Sequence, residues 1–202
     1  TPYRERLVRF WASHFSVTPR QGYWRPQAGD LVERAIRPHL TGSFAAMLSS
    51  VIAHPAMLRY LDQTRSVGPN SAVGRNRGIG LNENLGRELL ELPTLGADGP
   101  QDQADVRATA LLLTGLSLHG GEPVFNPRRA EPGVQTILGR RYGAMVRRES
   151  DTAALLHDLA THPATAAHLA RKLAVHFVAD DPPAGLVADL AALWRDSGGD
   201  LG

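Results

Sequence analysis

The chain has 202 residues, 43% of them hydrophobic and 21% charged, so it is long enough to bury a core and too apolar to be disordered. Its net charge is +2, and every basic residue but Lys172 is an arginine, so the high isoelectric point reflects arginine rather than a basic surface of the kind that binds nucleic acid. There is no cysteine, which excludes disulfides, thiolate metal sites and a cysteine nucleophile, and no apolar run reaches the roughly 20 residues of a membrane span.

Helical spacing dominates. From Tyr3 to Phe15, apolar and aromatic residues (Leu7, Phe10, Trp11, His14, Phe15) recur at three- and four-residue steps. A loop carrying Tyr23 and Trp24 follows. A second helix is expected from Asp30 to Leu40, ended or kinked by Pro38, and a third from Ser43 to Ala53 with Phe44, Met47, Leu48, Val51 and Ile52 on one face. His54-Pro55-Ala56 and His162-Pro163-Ala164 each open a helix with proline in the first turn, where its missing N–H is unsatisfied anyway. Residues 63–80 read as a long loop, the kind more often functional or disordered than a passive connector. Helices are predicted from Asn82 to Leu92 and, behind an Asp102 cap, from Asp102 to Thr114. Residues 117–140 are broken by glycine and proline and predict an extended or hairpin excursion. Helices over about 150–160, 163–178 and 184–196 close the chain, the last with proline in its first turn. The final Ser197-Gly198-Gly199-Asp200-Leu201-Gly202 reads as a connection cut short. The fold class expected is all-α, mainly helical, one domain over 1–202, with a small excursion near 117–140.

The densest polar cluster is Asn82-Glu83-Asn84-Leu85-Gly86-Arg87-Glu88-Leu89-Leu90-Glu91-Leu92. As a helix it carries an apolar stripe of Leu81, Leu85, Leu89 and Leu92, with Asn84, Glu88 and Glu91 on one polar face and Glu83, Arg87 and Glu91 beside it. Carboxylates sharing a face can hold a cation or move protons, which makes Glu83, Arg87, Glu88 and Glu91 candidate catalytic residues. His14, Asp62, Asn82 and Asn84 are candidate binding residues. The ordinary reading competes: Glu83–Arg87 and Arg87–Glu91 are i,i+4 pairs worth about 0.2–0.5 kcal/mol each, and Asn82 or Asn84 suits a cap. Spacing alone favours that structural reading.

The eight histidines form no metal motif. His54 and His162 suit capping, and His14 and His176 suit packing, while His162 and His168 fall on different helix faces. Gly78-Ile79-Gly80 lacks the strand and the third glycine of a phosphate loop, and the sequence has no nucleophile elbow. The arginines of the long loop and the pairs Arg140-Arg141 and Arg147-Arg148 read as solvated. No cofactor and no metal follow from these residues.

The sequence as a whole resembles the bacterial DUF1800 family. The likeness runs from Leu7–Phe15 through His54–Asp62 and Gly68–Ser71 to the Asn82–Leu92 block with Thr94-Leu95-Gly96. It continues through Asp105-Val106, Leu113-Thr114-Gly115, Thr136–Gly139, His162–Ala166, Lys172-Leu173 and His176–Pro183. The resemblance implies a mainly helical fold and no particular reaction. Members are usually longer, so the chain looks like an internal segment truncated at both ends. They often look exported, to the periplasm or beyond, and are often encoded beside DUF1501 proteins that resemble secreted sulfatases or phosphatases. Such a protein is the partner the resemblance implies. The chain departs from the family pattern at Pro93 and Ala130, where the family usually has histidine, at Leu116, where it has tryptophan, and at Gly86, where it has alanine. That glycine costs about 1 kcal/mol of helix propensity. Two function classes remain open: an enzyme or enzyme remnant at the Asn82–Glu91 block, and a non-catalytic helical module.

Overall fold

The three- and four-residue steps at the start of the chain become α1 (Pro2–His14), which buries Val8, Phe10, Trp11 and His14. The computed structural model describes residues 2–18, 25–78 and 80–202, and among these the protein is mainly helical, with ten α-helices and two small hairpins. The loop expected around Tyr23 and Trp24 lies outside the described residues, as do Ile79 and the side chain of Arg77.

The helix expected from Asp30 to Leu40 is instead divided. After α2 (Arg25–Leu31) comes a single π turn (Val32–Ile36), then a 3-10 turn (Arg37–His39). Pro38 has no N–H and crowds the carbonyl four residues back. The chain widens just before it, and the Arg37 N–H bonds to the Val32 carbonyl, a five-residue step. α3 (Phe44–Ala53) buries the predicted face, and the Ser43 hydroxyl caps it by accepting the Ala46 N–H at 3.2 Å. The two His-Pro-Ala runs share one solution. Nδ1 of His54 accepts the Ala56 N–H at 3.2 Å to start α4 (Pro55–Tyr60), and Nδ1 of His162 accepts the Ala164 N–H at 3.1 Å to start α9 (Pro163–Phe177).

Residues 63–78 are more ordered than the sequence predicts. They hold a 3-10 turn (Gln63–Arg65) and α5 (Ala72–Arg77), the latter capped by Ser71. The segment is also bonded down. The Gly68 and Val73 N–H groups donate to the Arg129 and Arg128 carbonyls, and the Glu131 carboxylate accepts both the backbone and the side-chain N–H of Asn70. Gly74, inside a helix of only six residues, hides it from a propensity reading.

α6 (Asn84–Glu91) crosses α7 (Gln103–Leu113), which begins at a reciprocal Asp102–Asp105 capping box. The stripe on α6 departs from the one expected: Leu85, Leu89 and Leu90 are buried, whereas Leu92 is exposed. The excursion at 117–140 is a pair of two-stranded antiparallel hairpins. β1 (Leu116–His119) pairs with β2 (Glu122–Phe125), and β3 (Gln135–Ile137) with β4 (Arg140–Tyr142). Both turn through two residues of positive φ, Gly120-Gly121 and Leu138-Gly139, which matches the twist of paired strands.

α8 (Glu149–Ala160), α9 and α10 (Ala184–Asp196) lie where periodicity places them, except that Pro183 stands before the first turn of α10 with extended ψ rather than inside it. The closing residues are not loose. The Phe44 N–H donates to the Gly199 carbonyl at 2.8 Å and the Leu201 N–H to the Gly42 carbonyl at 2.9 Å. One cluster of buried apolar side chains runs from Val8 to Trp194 and includes Trp11, Phe44, Leu58, Leu89, Leu112 and Leu169. Arg147, expected in solvent, is buried. Its guanidinium donates to Asp151 at 2.9 Å and to the Leu112 and Glu131 carbonyls at 2.8 and 3.2 Å, one bond from each nitrogen, which offsets much of the cost of leaving water.

Gly86 has a packing reason. A Cβ built there would stand 2.8 Å from the backbone nitrogen of Ala110 and 3.0 Å from its Cα, closer than α7 permits. Gly86→Ala is therefore expected to destabilise the protein by about 1–3 kcal/mol in urea unfolding, the range for overpacking. A gain of about 1 kcal/mol, as helix propensity alone predicts, would overturn this account.

Candidate functional site

The Asn82–Glu91 block divides into three parts. Asn82 starts α6: its side-chain oxygen accepts the Asn84 N–H at 2.9 Å, and its amide reaches the Leu61 and Asp62 carbonyls at 3.3 and 3.4 Å. Asp62 meets it there with a left-handed backbone, φ 54°. Asn84 is exposed. Glu83, Arg87 and Glu91 form a network with α7. Glu83 accepts from Gln103 at 3.0 Å and Arg107 at 3.2 Å, while Arg87 donates to Gln103 at 2.8 Å and Glu91 at 3.3 Å. These bonds fasten α6 to α7 across the crossing that Gly86 makes close.

Glu88 stands apart. Among the described residues it has no hydrogen bond or ion pair, and it lines a small, mostly apolar cleft of about 90 Å³ with His14, Phe15, Met57, Tyr60 and Leu85. Structure thus brings two of the sequence candidates, Glu88 and His14, to one cleft and places the others elsewhere.

His14 also lines a larger cleft, of about 430 Å³, between α1 and α9. Its α1 wall is Phe10, Ser13 and His14, and its α9 wall is His168, Arg171, Lys172, Val175 and His176. The volume falls in the range of small-molecule sites. The α9 residues are spaced i, i+3, i+4, i+7 and i+8, a complete helix face, while the opposite face (Thr165, Ala166, Leu169, Ala170, Ala174) is buried. That spacing was available in the sequence. His176, expected to pack, is instead exposed, with its ring T-shaped to Phe10 and the centroids 5.3 Å apart.

Two of these histidines are anchored alike. Nε2 of His168 lies 3.0 Å from the Leu92 carbonyl and Nε2 of His14 lies 3.3 Å from the Pro93 carbonyl. A carbonyl only accepts, so each Nε2 carries the proton and each Nδ1 of the neutral ring is a bare acceptor. Nδ1 of His14 is buried without a partner among the described residues. Burial pushes the His14 pKa down to about 3, and the nearby Lys172 lowers it further against the opposing pull of the Pro93 bond. Burial likewise lowers His168, and burial lowers Lys172. Neither Lys172 nor Arg171 has a carboxylate partner among the described residues. No group of three or more His, Asp or Glu able to hold a metal ion occurs among those residues, and no helix there is long and apolar enough to cross a membrane.

Fold and site together define a mainly helical protein with a basic, histidine-walled cleft. The chain belongs to the DUF1800 family: all of residues 1–202 match the family described as "Protein of unknown function (DUF1800)". No curated protein and no solved structure was found to match it. Pro93, one of the two positions expected to depart from the family pattern, touches this cleft through its bond to His14, whereas Ala130, the other, is buried against Gly115.

The folded chain holds His14 neutral where the unfolded chain would protonate it, so stability falls as pH drops from about 6.5 toward 3 and does not depend on this group above 6.5. Each pH unit in that window costs up to about 1.4 kcal/mol. Urea unfolding at pH 7 and pH 5 should show the parent losing about 2 kcal/mol more than His14→Gln, which keeps a donor for Pro93. Equal losses would mean that His14 is not the group responsible. A second comparison separates the two kinds of carboxylate: Glu83→Gln should cost about 0.5–1 kcal/mol and Glu88→Gln nothing measurable. The reverse order in the same assay would make Glu88 the structural residue.

Proposed function

We propose that the protein binds a small anionic molecule in the cleft between α1 and α9. The observation that carries this reading is the pair Lys172 and Arg171 on one helix face beside two neutral imidazoles, with no carboxylate to balance them among the described residues. A half-buried ammonium without a counter-ion is costly, and a bound phosphate or carboxylate removes that cost through a charge-assisted bond. Arg171, exposed at the rim, draws anions in, and Lys172, deeper, fixes them. Ser13 adds a hydroxyl to the opposite wall.

A second, enzymatic reading attaches to Glu88, which lines the small cleft with His14 and is held by nothing around it. An unbonded carboxylate beside a neutral imidazole has the parts of an acid–base pair, with Glu83, Arg87 and Glu91 as the clamp that positions its helix. The same proposal treats 1–202 as one all-α domain. Its support is the continuous core from Val8 to Trp194 and the shortness of the strands, three or four residues each.

Calorimetric titration with inorganic phosphate and with acetate tests the anion reading. Binding of either at millimolar concentration is expected, with Lys172→Met weaker by about tenfold or more, as loss of a charged hydrogen bond requires. No binding, or equal binding by the variant, overturns it.

A further inference from the structure

We infer that the anion bound between α1 and α9 carries an aromatic ring about one helical turn from its charge, as an aryl phosphate or an arylacetate does. This rests on the anion-binding reading above and names the ligand class. The cleft changes character along its length. On α9, Arg171 and Lys172 stand together, and Val175 and His176 follow them by four residues each, about 6 Å along the axis. α1 runs the opposite way beside it. His14 lies near Lys172, and Phe10, one turn earlier, has its ring 5.3 Å from that of His176. Both walls therefore pass from charged or polar groups to apolar and aromatic ones at the same level.

A bare anion uses only the charged half. Acetate and phosphate have few heavy atoms, whereas a cleft of about 430 Å³ is the size of sites that hold larger molecules. The other half offers accessible surface: Val175 is 38% exposed and His176 is exposed as well. Water resting on Val175 makes no hydrogen bond to it, and an apolar group that displaces this water is favoured in proportion to the area covered. The neighbouring rings set the shape of that group. The centroid of His176 lies 5.3 Å from that of Phe10 and 4.7 Å from that of Phe177, and the two phenylalanines are 6.2 Å apart. These are the spacings of edge-to-face and tilted pairs, so a further ring against His176 extends a cluster already formed. Among the described residues no carboxylate lines this end to hold a cation instead.

Phenyl phosphate and methyl phosphate share a head group and differ in the ring. Phenylacetate and acetate make the same pair with a carboxylate, and benzyl alcohol carries the ring without the charge. In calorimetric titration we expect the ring-bearing member of at least one pair to bind about tenfold tighter or more, as covering roughly 60 Å² of apolar surface gives. Benzyl alcohol should bind about tenfold more weakly than that member, or not at all. In protein with 13C-labelled valine methyls, the ring protons of the same ligand should give nuclear Overhauser contacts to the methyls of Val175, identified by their loss in Val175→Ser. That variant should also cut the preference within the pair by about threefold or more. If it fails to fold, backbone-based assignment of the Val175 methyls in the parent protein decides. Equal affinities within both pairs overturn the inference and leave the anion reading standing. No binding by any of the four anions overturns both, as does benzyl alcohol binding as tightly as the charged ring compounds. A preference without contact at Val175 overturns the place given to the ring.

Discussion

The end of α6 is where the structure is most constrained. A helix leaves its last carbonyls without partners, and buried carbonyls need them. Thr94 Oγ1 donates to the Leu89 carbonyl at 2.7 Å, and the Leu95 N–H donates to that of Leu90 at 2.9 Å. Leu92 and Pro93 lie beyond the reach of local bonds, and imidazoles from α9 and α1 take them. Three helices distant in sequence are thereby held at one point. The same two bonds decide the tautomer of each ring and set the walls of the α1–α9 cleft, while burial and the nearby Lys172 keep the rings neutral. Moving α6 by an ångström would release the carbonyls and undo the cleft together.

Part of the polar block on α6 ties that helix to α7. Surface ion pairs are individually weak, yet Glu83 and Arg87 bond across to Gln103 and Arg107 rather than only along their own helix. With Gly86 pressed on Ala110, the block acts as a clamp between α6 and α7. Its glycine, which looks like a flaw in a helix, is a condition of that approach. Glu88 escapes the clamp because its place on the helix turns it to the other side, toward α1 and α4, where His14 and Tyr60 lie.

Much of the fold was legible as periodicity and caps. The faces of α1 and α3, the histidine caps at His54 and His162, and the Asp102 box all follow from local chemistry. The reading lost ground where local preference meets a tertiary demand. Pro38 reads as a breaker, but the π turn that absorbs it depends on the carbonyl geometry of its neighbours. The helix within 63–80 is short and glycine-bearing, and its anchors are backbone groups at Arg128 and Arg129 that leave no signature in a sequence. Arg147 looks like any surface arginine until its carbonyl partners are seen. The site shows the same limit. His168, Lys172 and His176 at four-residue steps are a visible stripe, but a stripe of polar residues reads as solvated until a second wall is known.

Lysine and arginine differ in what burial does to them. A guanidinium keeps its proton almost everywhere, whereas an ammonium gives its proton up readily as water is withdrawn. In a chain whose other basic residues are all arginines, the single lysine sits half-buried in the cleft. Arg171 beside it supplies charge that does not vary. Lys172 supplies charge that depends on what occupies the cleft: an anion strengthens it, and an empty or apolar neighbourhood weakens it. The histidines follow in the opposite sense, since a charged Lys172 is one of the influences that keep His14 unprotonated. A bound anion would offset that influence of Lys172 on His14 while strengthening the ammonium itself, so the two groups are coupled through the ligand rather than set independently.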